Sequence, residues 1–246
     1  MPLLQLEGVS KRFGQVVVAD EITFQLEEGA SVGVVGPNGA GKTSMFAIIS
    51  GDIKADSGRL SFDRHDLAHV TTPQRCRLGI GRTYQIPQPF EHMTVFENAL
   101  LAAQQGARVR GRESYAAAYR ALERAGLAAL ANRPAGSLAL LHRKRLELAR
   151  ALATGPRILL LDEIAGGLTD AEVVELSDVI RTLQGEGIAI LWIEHVVRAL
   201  LSTVDRLLCL ANGALVADGE PREVLASEAV RRVYLGGRII NESGVA

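Results

Sequence analysis

The segment Gly36-Pro37-Asn38-Gly39-Ala40-Gly41-Lys42-Thr43 sets a lysine and a hydroxyl at the end of a loop carrying three glycines. That spacing, G-x-x-x-x-G-K-[ST], suits a phosphate. Backbone N–H groups turn inward around the anion, Lys42 reaches the β and γ phosphates, and Thr43 can ligate Mg²⁺. The flanks agree: Ser31-Val32-Gly33-Val34-Val35 reads as a buried strand, and Ser44-Met45-Phe46-Ala47-Ile48-Ile49 as the first turns of a helix. Residues Gly36 to Ser44 are therefore a nucleotide cradle in the strand, loop and helix context that the pattern requires.

Hydrolysis needs more than a cradle. It needs a carboxylate to orient a metal and a group to activate water. Asp162-Glu163 follows the apolar run Ile158 to Leu161 and so falls at the carboxyl end of a buried strand, where open α/β sheets bind ligands. Asp162 suits Mg²⁺ and Glu163 suits a general base. His195 closes the next apolar run, Ile188 to Ile193 plus Glu194, and an imidazole there can meet a γ-phosphate. His65 and His69 lie four apart near Asp63 and Asp66 but lack a third ligand; His92 and His142 offer no chemistry of their own.

The elements that must position these groups alternate. A β-rich front end from Leu3 to Val35, broken by turn signals at Gly8, Gly14 and Glu28-Gly29, leads into the loop and its helix. From about Thr72 to Thr154 the texture is helical, with start signals at Thr72-Pro73 and at the box Thr94-Val95-Phe96-Glu97. Strands then return around a helix opened by Thr169-Asp170-Ala171-Glu172, which implies a largely parallel sheet. Asn212-Gly213, between two apolar runs, marks a hairpin. The run Arg143-Lys144-Arg145 reads as a solvated helix face.

Composition narrows the class. A chain of 246 residues that is 48% hydrophobic supports a packed core, and a net charge of −1 supplies no bulk attraction to nucleic acid, which is not expected as a partner. Two distant cysteines, Cys76 and Cys209, indicate neither a disulfide framework nor a zinc site, so a reducing cytosolic setting is expected. No apolar run approaches a membrane span, so work at a membrane must go through a partner.

With phosphate loop, helical insert, acidic dyad and strand-end histidine in this order, the chain resembles the ATP-binding subunits of ABC transporters over essentially its whole length. The resemblance implies that Phe13 stacks on adenine. It also implies that Gln85, in Arg82-Thr83-Tyr84-Gln85, touches Mg²⁺ and relays nucleotide state to the membrane subunits, and that His195 is the switch histidine. Within the family the chain is most similar to the ATPases of branched-chain amino acid uptake. Glu163 to Thr169, Trp192-Ile193-Glu194-His195, Arg145 to Leu152 and Arg232-Val233-Tyr234-Leu235-Gly236 carry that likeness. Urea and amide importers use similar subunits, and lipopolysaccharide export ATPases share the Val-Tyr-Leu-Gly ending. The chain departs from the family at its signature: Leu138-Ala139-Leu140-Leu141-His142 stands where L-S-G-G-Q is expected. In the family that loop binds the γ-phosphate held by the opposite subunit of a head-to-tail dimer; Ala139 has no hydroxyl, and Leu141 is bulky where backbone must approach phosphate. Thr169 and Ile164 likewise replace a usual Asp or Asn and a usual proline.

The expected architecture is a single α/β P-loop ABC ATPase domain over 1–246 with an N-terminal antiparallel β subdomain. Its core spans 1–85 and 155–246, and an α-helical subdomain is inserted at about 86–154. The resemblance implies ATP and Mg²⁺ as cofactors. Implied partners are integral-membrane permease subunits, a second identical or different ATPase subunit, and a solute-binding protein. The implied location is cytoplasmic, peripheral on the inner face of the cell membrane. The expected function is ATP hydrolysis driving import of branched-chain or other amino acids. Alternatives are a urea or amide importer, a lipopolysaccharide exporter, a non-transport ABC ATPase acting on nucleic acid or ribosomes, and a P-loop kinase.

Overall fold

A computed structural model describes residues 2–234, so the Leu235-Gly236 end of the phrase noted above lies outside the described residues. Two long antiparallel strands, β1 (Pro2–Phe13) and β2 (Val16–Glu27), form one sheet with β4 (Ser57–Phe62) and β5 (His65–Asp66), in the order β2-β1-β4-β5. The turn signal at Gly8 does not end a strand. It falls where the β1–β2 register shifts between Leu6 and Val9, so the extra residue is absorbed as a bulge.

The second sheet holds the chemistry. Its order is β10-β9-β3-β8-β7-β6, with β3 (Ser31–Val35), β6 (Ile80–Arg82), β7 (Ile158–Asp162), β8 (Ala189–Ile193), β9 (Arg206–Ala211) and β10 (Ala214–Gly219). All its pairings are parallel except the β9–β10 hairpin, which turns at Asn212 (φ 50°) and Gly213 (φ 83°) as the sequence indicates. Being buried on both faces, these strands serve two cores. Ile158 and Leu160 face the antiparallel sheet and α1 (Lys42–Ser50), while Leu159 and Leu161 face the helical side.

The helices are α2 (Thr72–Leu78), α3 (Val95–Ala102), a π-helical turn Ala103–Ala107, α4 (Gly111–Arg124), α5 (Leu140–Ala153), α6 (Asp170–Gly185), α7 (Val197–Leu201) and α8 (Pro221–Ala226). The helical texture expected from Thr72 is interrupted: β6 joins the edge of the parallel sheet, a three-residue strand too short to show periodicity. The start of α2 is capped one residue earlier than expected, by Thr71 with Gln74. The boxes at Thr94 with Glu97 and Thr169 with Glu172 both form, as the sequence indicates. Helices α3, α4 and α5 pack on one another between β6 and β7.

Candidate functional site

Because β3, β8 and β7 are parallel neighbours, their carboxyl ends open at one edge, the topological place for a ligand. The loop after β3 needs glycine at two positions. A Cβ on Gly36 (φ 149°) would lie 2.1 Å from the Leu210 carbonyl oxygen, and one on Gly41 (φ 99°) 2.1 Å from that of Val18. The loop wraps a cavity of about 700 Å³ whose lining includes Asn38 to Ser44, Gln85, Glu163 and His195. Such a volume suits a nucleotide.

Lys42 is 5% exposed and donates to the carbonyls of Gly36 (2.7 Å) and Pro37 (3.0 Å). Burial pushes its pKa down, while Glu163 and Asp162 oppose that shift. The ammonium is thus a desolvated cation held by weak neutral acceptors, ready to exchange them for a charged one. Thr43 Oγ1 donates to Asp162 Oδ1 at 3.4 Å, which brings the two expected metal-binding groups together. The Asp162 side chain is 4% exposed, and burial pushes its pKa up against the pull of Arg82, whose Nη2 sits 3.3 Å from Oδ2. Arg82 also reaches Asp52 Oδ2 at 2.8 Å and Ser50 Oγ at 2.9 Å.

Mg²⁺ fits this donor set. A hydroxyl, a carboxylate and an amide oxygen are hard ligands, and Mg²⁺ takes one or two carboxylates and fills its remaining positions with water and substrate phosphates. Among the described residues no group of three or more His, Cys, Asp or Glu forms a metal cage.

Glu163 is the hub. Its backbone adopts φ 48°, a left-handed conformation that a non-glycine residue keeps only when its surroundings hold it. Gln85 Nε2 donates to its Oε2 at 2.6 Å, and His195 Nε2 meets its Oε1 at 2.8 Å. Sequence reasoning placed Gln85, Glu163 and His195 on three separate segments; the structure joins them by hydrogen bonds.

Three residues of the site escaped that reasoning. Lys144 is not on a solvated face: it is 4% exposed, and its Nζ lies 3.4 Å from the carbonyls of both Gln85 and Glu163. Its flanking arginines are engaged too, Arg143 with the carbonyls of Leu138 and Gly136, and Arg145 with Glu175. A signal existed, since Leu141, Lys144, Leu148 and Leu152 share one helical stripe. Glu194 is buried and accepts from the N–H groups of Ala165 (2.6 Å), His195 (3.0 Å) and Val196 (3.3 Å), clamping the loop after β7 to the loop after β8. Burial pushes its pKa up and these three donors hold it down. Arg82 is the third.

Phe13 stands outside the cavity lining, 51% exposed at the end of β1, with Lys11 Nζ 5.1 Å from its ring centre. At the departed signature, Ala139 is the residue preceding α5 and supplies no side-chain cap, while Leu141 is 6% exposed in the helical-side core.

A parallel sheet with a phosphate loop at the end of β3 and an acidic pair at the end of β7 defines a P-loop nucleotide-hydrolysing protein. The ABC transporter family pattern matches residues 19–166, and this chain belongs to that family as an ATP-binding, ATP-hydrolysing cassette. The high-affinity branched-chain amino acid transport ATP-binding protein LivG of Salmonella typhimurium is 36% identical over 250 residues, covering 96% of this chain and 98% of its own. BraF of Pseudomonas aeruginosa, of the same description, is 34% identical over 96% of this chain and 98% of its own. The lipopolysaccharide export ATP-binding protein LptB of Acidithiobacillus ferridurans is 34% identical over 95% of this chain and 97% of its own. A solved ATP-binding cassette of an ABC transporter in its ADP conformation superposes with a TM-score of 0.87 at 30% identity, covering 96% of this chain and 99% of that one.

Proposed function

We propose that this chain is the ATPase subunit of an ABC importer for branched-chain or other amino acids. The observation that carries the reading is the hydrogen-bonded trio of Gln85, Glu163 and His195 facing the phosphate cradle, in a chain that matches LivG and BraF end to end. The likeness to LptB favours lipopolysaccharide export as a second reading, because it covers nearly the same length at similar identity.

In this reading Gly36 to Ser44 bind the phosphates through backbone N–H groups, and Lys42 exchanges the Gly36 and Pro37 carbonyls for them. Thr43, Asp162 and Gln85 would hold Mg²⁺, which would neutralise phosphate charge when bound. Glu163 takes the proton of the attacking water, with Gln85 and His195 fixing the direction of its carboxylate. Lys144 ties the backbones of Gln85 and Glu163 together, so a movement of either is passed to the other. Phe13 stacks on the adenine from the rim.

The chain acts as one ATP-binding domain with a helical subdomain at about 86–154 inserted in a core of 1–85 and 155–246. It pairs with a second ATPase subunit and docks on integral-membrane permeases supplied by a solute-binding protein, at the inner face of the cell membrane. No helix among the described residues is long and apolar enough to cross a membrane. A cleft beside Gln85, lined by Thr72, Cys76, Tyr84, Ala102 and Arg150, with Phe90 exposed nearby over Arg150, supplies a seat for a permease helix. The test is co-purification with permease subunits from detergent-solubilised membranes, followed by uptake of labelled leucine in vesicles. Recovery of permease with ATP-dependent uptake supports the reading. A chain that hydrolyses ATP but never captures permease overturns the transport assignment.

A further inference from the structure

On the outer side of α2, away from the phosphate cradle, a second cavity of about 740 Å³ is lined by Arg77, Gln104, Gln105, Arg108 and Arg110. A neighbouring cavity of about 460 Å³ shares Arg77 and Arg108 and adds His65 and Gln74. No carboxylate lines the larger one. Asp66, at the edge of the smaller, lies 3.8 Å from Arg59. Among the described residues none of the three arginines makes an ion pair or a side-chain hydrogen bond, whereas Arg75 binds four carbonyls, Arg82 two carboxylates and Arg150 Glu147. Three exposed arginines line one cavity that has no carboxylate, so a bound anion would gain from all three at once.

The backbone that presents them is unusual. Ala103–Ala107 forms a π-helical turn, and Arg108 closes it at φ 57°, a conformation a non-glycine residue adopts at a cost. Gln104 is pinned by Ser114 Oγ at 3.4 Å, so its backbone is anchored from α4. The lining offers planar multi-donor groups and no apolar or aromatic anchor, which favours phosphate over a peptide segment. The cavity also runs alongside the cleft assigned above to a permease helix, since α2 and the α3-to-π-helix segment flank both. It therefore lies on the side of the molecule turned to the membrane, a step that rests on the transport reading.

We infer that Arg77, Arg108 and Arg110, with Gln104 and Gln105, bind the phosphate headgroups of anionic lipids and hold this face of the chain against the bilayer beside its permease. Each exposed arginine near an anionic surface is worth about fivefold in binding, so the three together contribute on the order of a hundredfold.

The experiment is flotation of the full chain with phosphatidylglycerol-rich vesicles and with pure phosphatidylcholine vesicles, for wild type, the triple variant Arg77→Ala/Arg108→Ala/Arg110→Ala and the triple lysine variant. Expected are wild-type binding to the anionic vesicles alone, weakening as salt is raised, loss of about a hundredfold in the alanine variant, and substantial retention in the lysine variant. Basal ATP hydrolysis should be equal in all three, which shows that each is folded. Equal vesicle binding by wild type and alanine variant overturns the inference. So does saturable binding of free inorganic phosphate with no preference for anionic vesicles, which would make this a soluble-anion site. Failure of vesicle binding together with normal capture of permease by the alanine variant sinks the lipid site and leaves the transport reading standing. Arginine-dependent capture of permease without vesicle binding would make the partner a protein and also overturn it.

Discussion

Arg82→Gln exposes how much the buried carboxylate of Asp162 depends on one neighbour. Arg82 and Asp162 are 8% and 4% exposed at 3.3 Å, and the same guanidinium reaches Asp52 at 2.8 Å. Removing one partner of a buried pair costs about 3–5 kcal/mol. Asp52 is partly solvated and Asp162 keeps the Thr43 hydroxyl, so the lower end, about 3 kcal/mol, is expected above neutral pH. The sign of the pH dependence follows from burial, which raises the Asp162 pKa in the folded state above its unfolded value. Stability from that group is complete below the ordinary carboxylate range and is lost as pH rises through the raised folded value. Without Arg82 the folded value rises further, so the variant's deficit grows from mildly acid to neutral pH. Urea denaturation of the nucleotide-free chain at both pH values measures it, and excess Mg-ATP should recover part of the loss by replacing the missing positive charge. A deficit that is the same at acid and neutral pH would refute the claim that Arg82 acts by keeping Asp162 ionised.

Three further variants concern the cradle and the signature. Lys42→Ala should abolish tight ATP binding without lowering thermal stability, because the ammonium contacts only loop carbonyls; nucleotide titration and a melting curve check both halves. Leu141→Gly, which restores one glycine of the family signature, should destabilise by about 3–5 kcal/mol, because it empties a core position and adds glycine to a helix. Ala139→Ser should instead stabilise by about 1 kcal/mol, since the residue preceding α5 has the extended conformation of a cap and no capping group. It should also raise phosphate release by the isolated chain; unchanged melting temperature and turnover would remove Ala139 from both roles.

Local rules made most of the frame legible. The phosphate loop, the hairpin at Asn212 and the boxes at Thr94 and Thr169 depend on residues within a few positions of one another, so their signals are written contiguously. Asp162, Glu163 and His195 were legible because a buried strand in front of each fixed which end they occupy. What stayed hidden depends on tertiary neighbours. Lys144 reads as one charge in a basic run until Gln85 and Glu163 close over it from other segments. Glu194 has partners 29 residues away and adjacent to it in sequence, and nothing local marks it as a clamp. The edge strand β6 is three residues long and is specified by its pairing with β7.

The most direct test of hydrolysis through Glu163 is steady-state phosphate release by Glu163→Gln beside ATP affinity in the same preparation. The amide keeps the shape of the side chain and loses its basicity, so ATP should bind as in wild type while turnover falls on the order of a hundredfold or more. Wild-type turnover in that variant, with ATP binding intact, would remove the base role from Glu163 and with it the catalytic trio built around that residue.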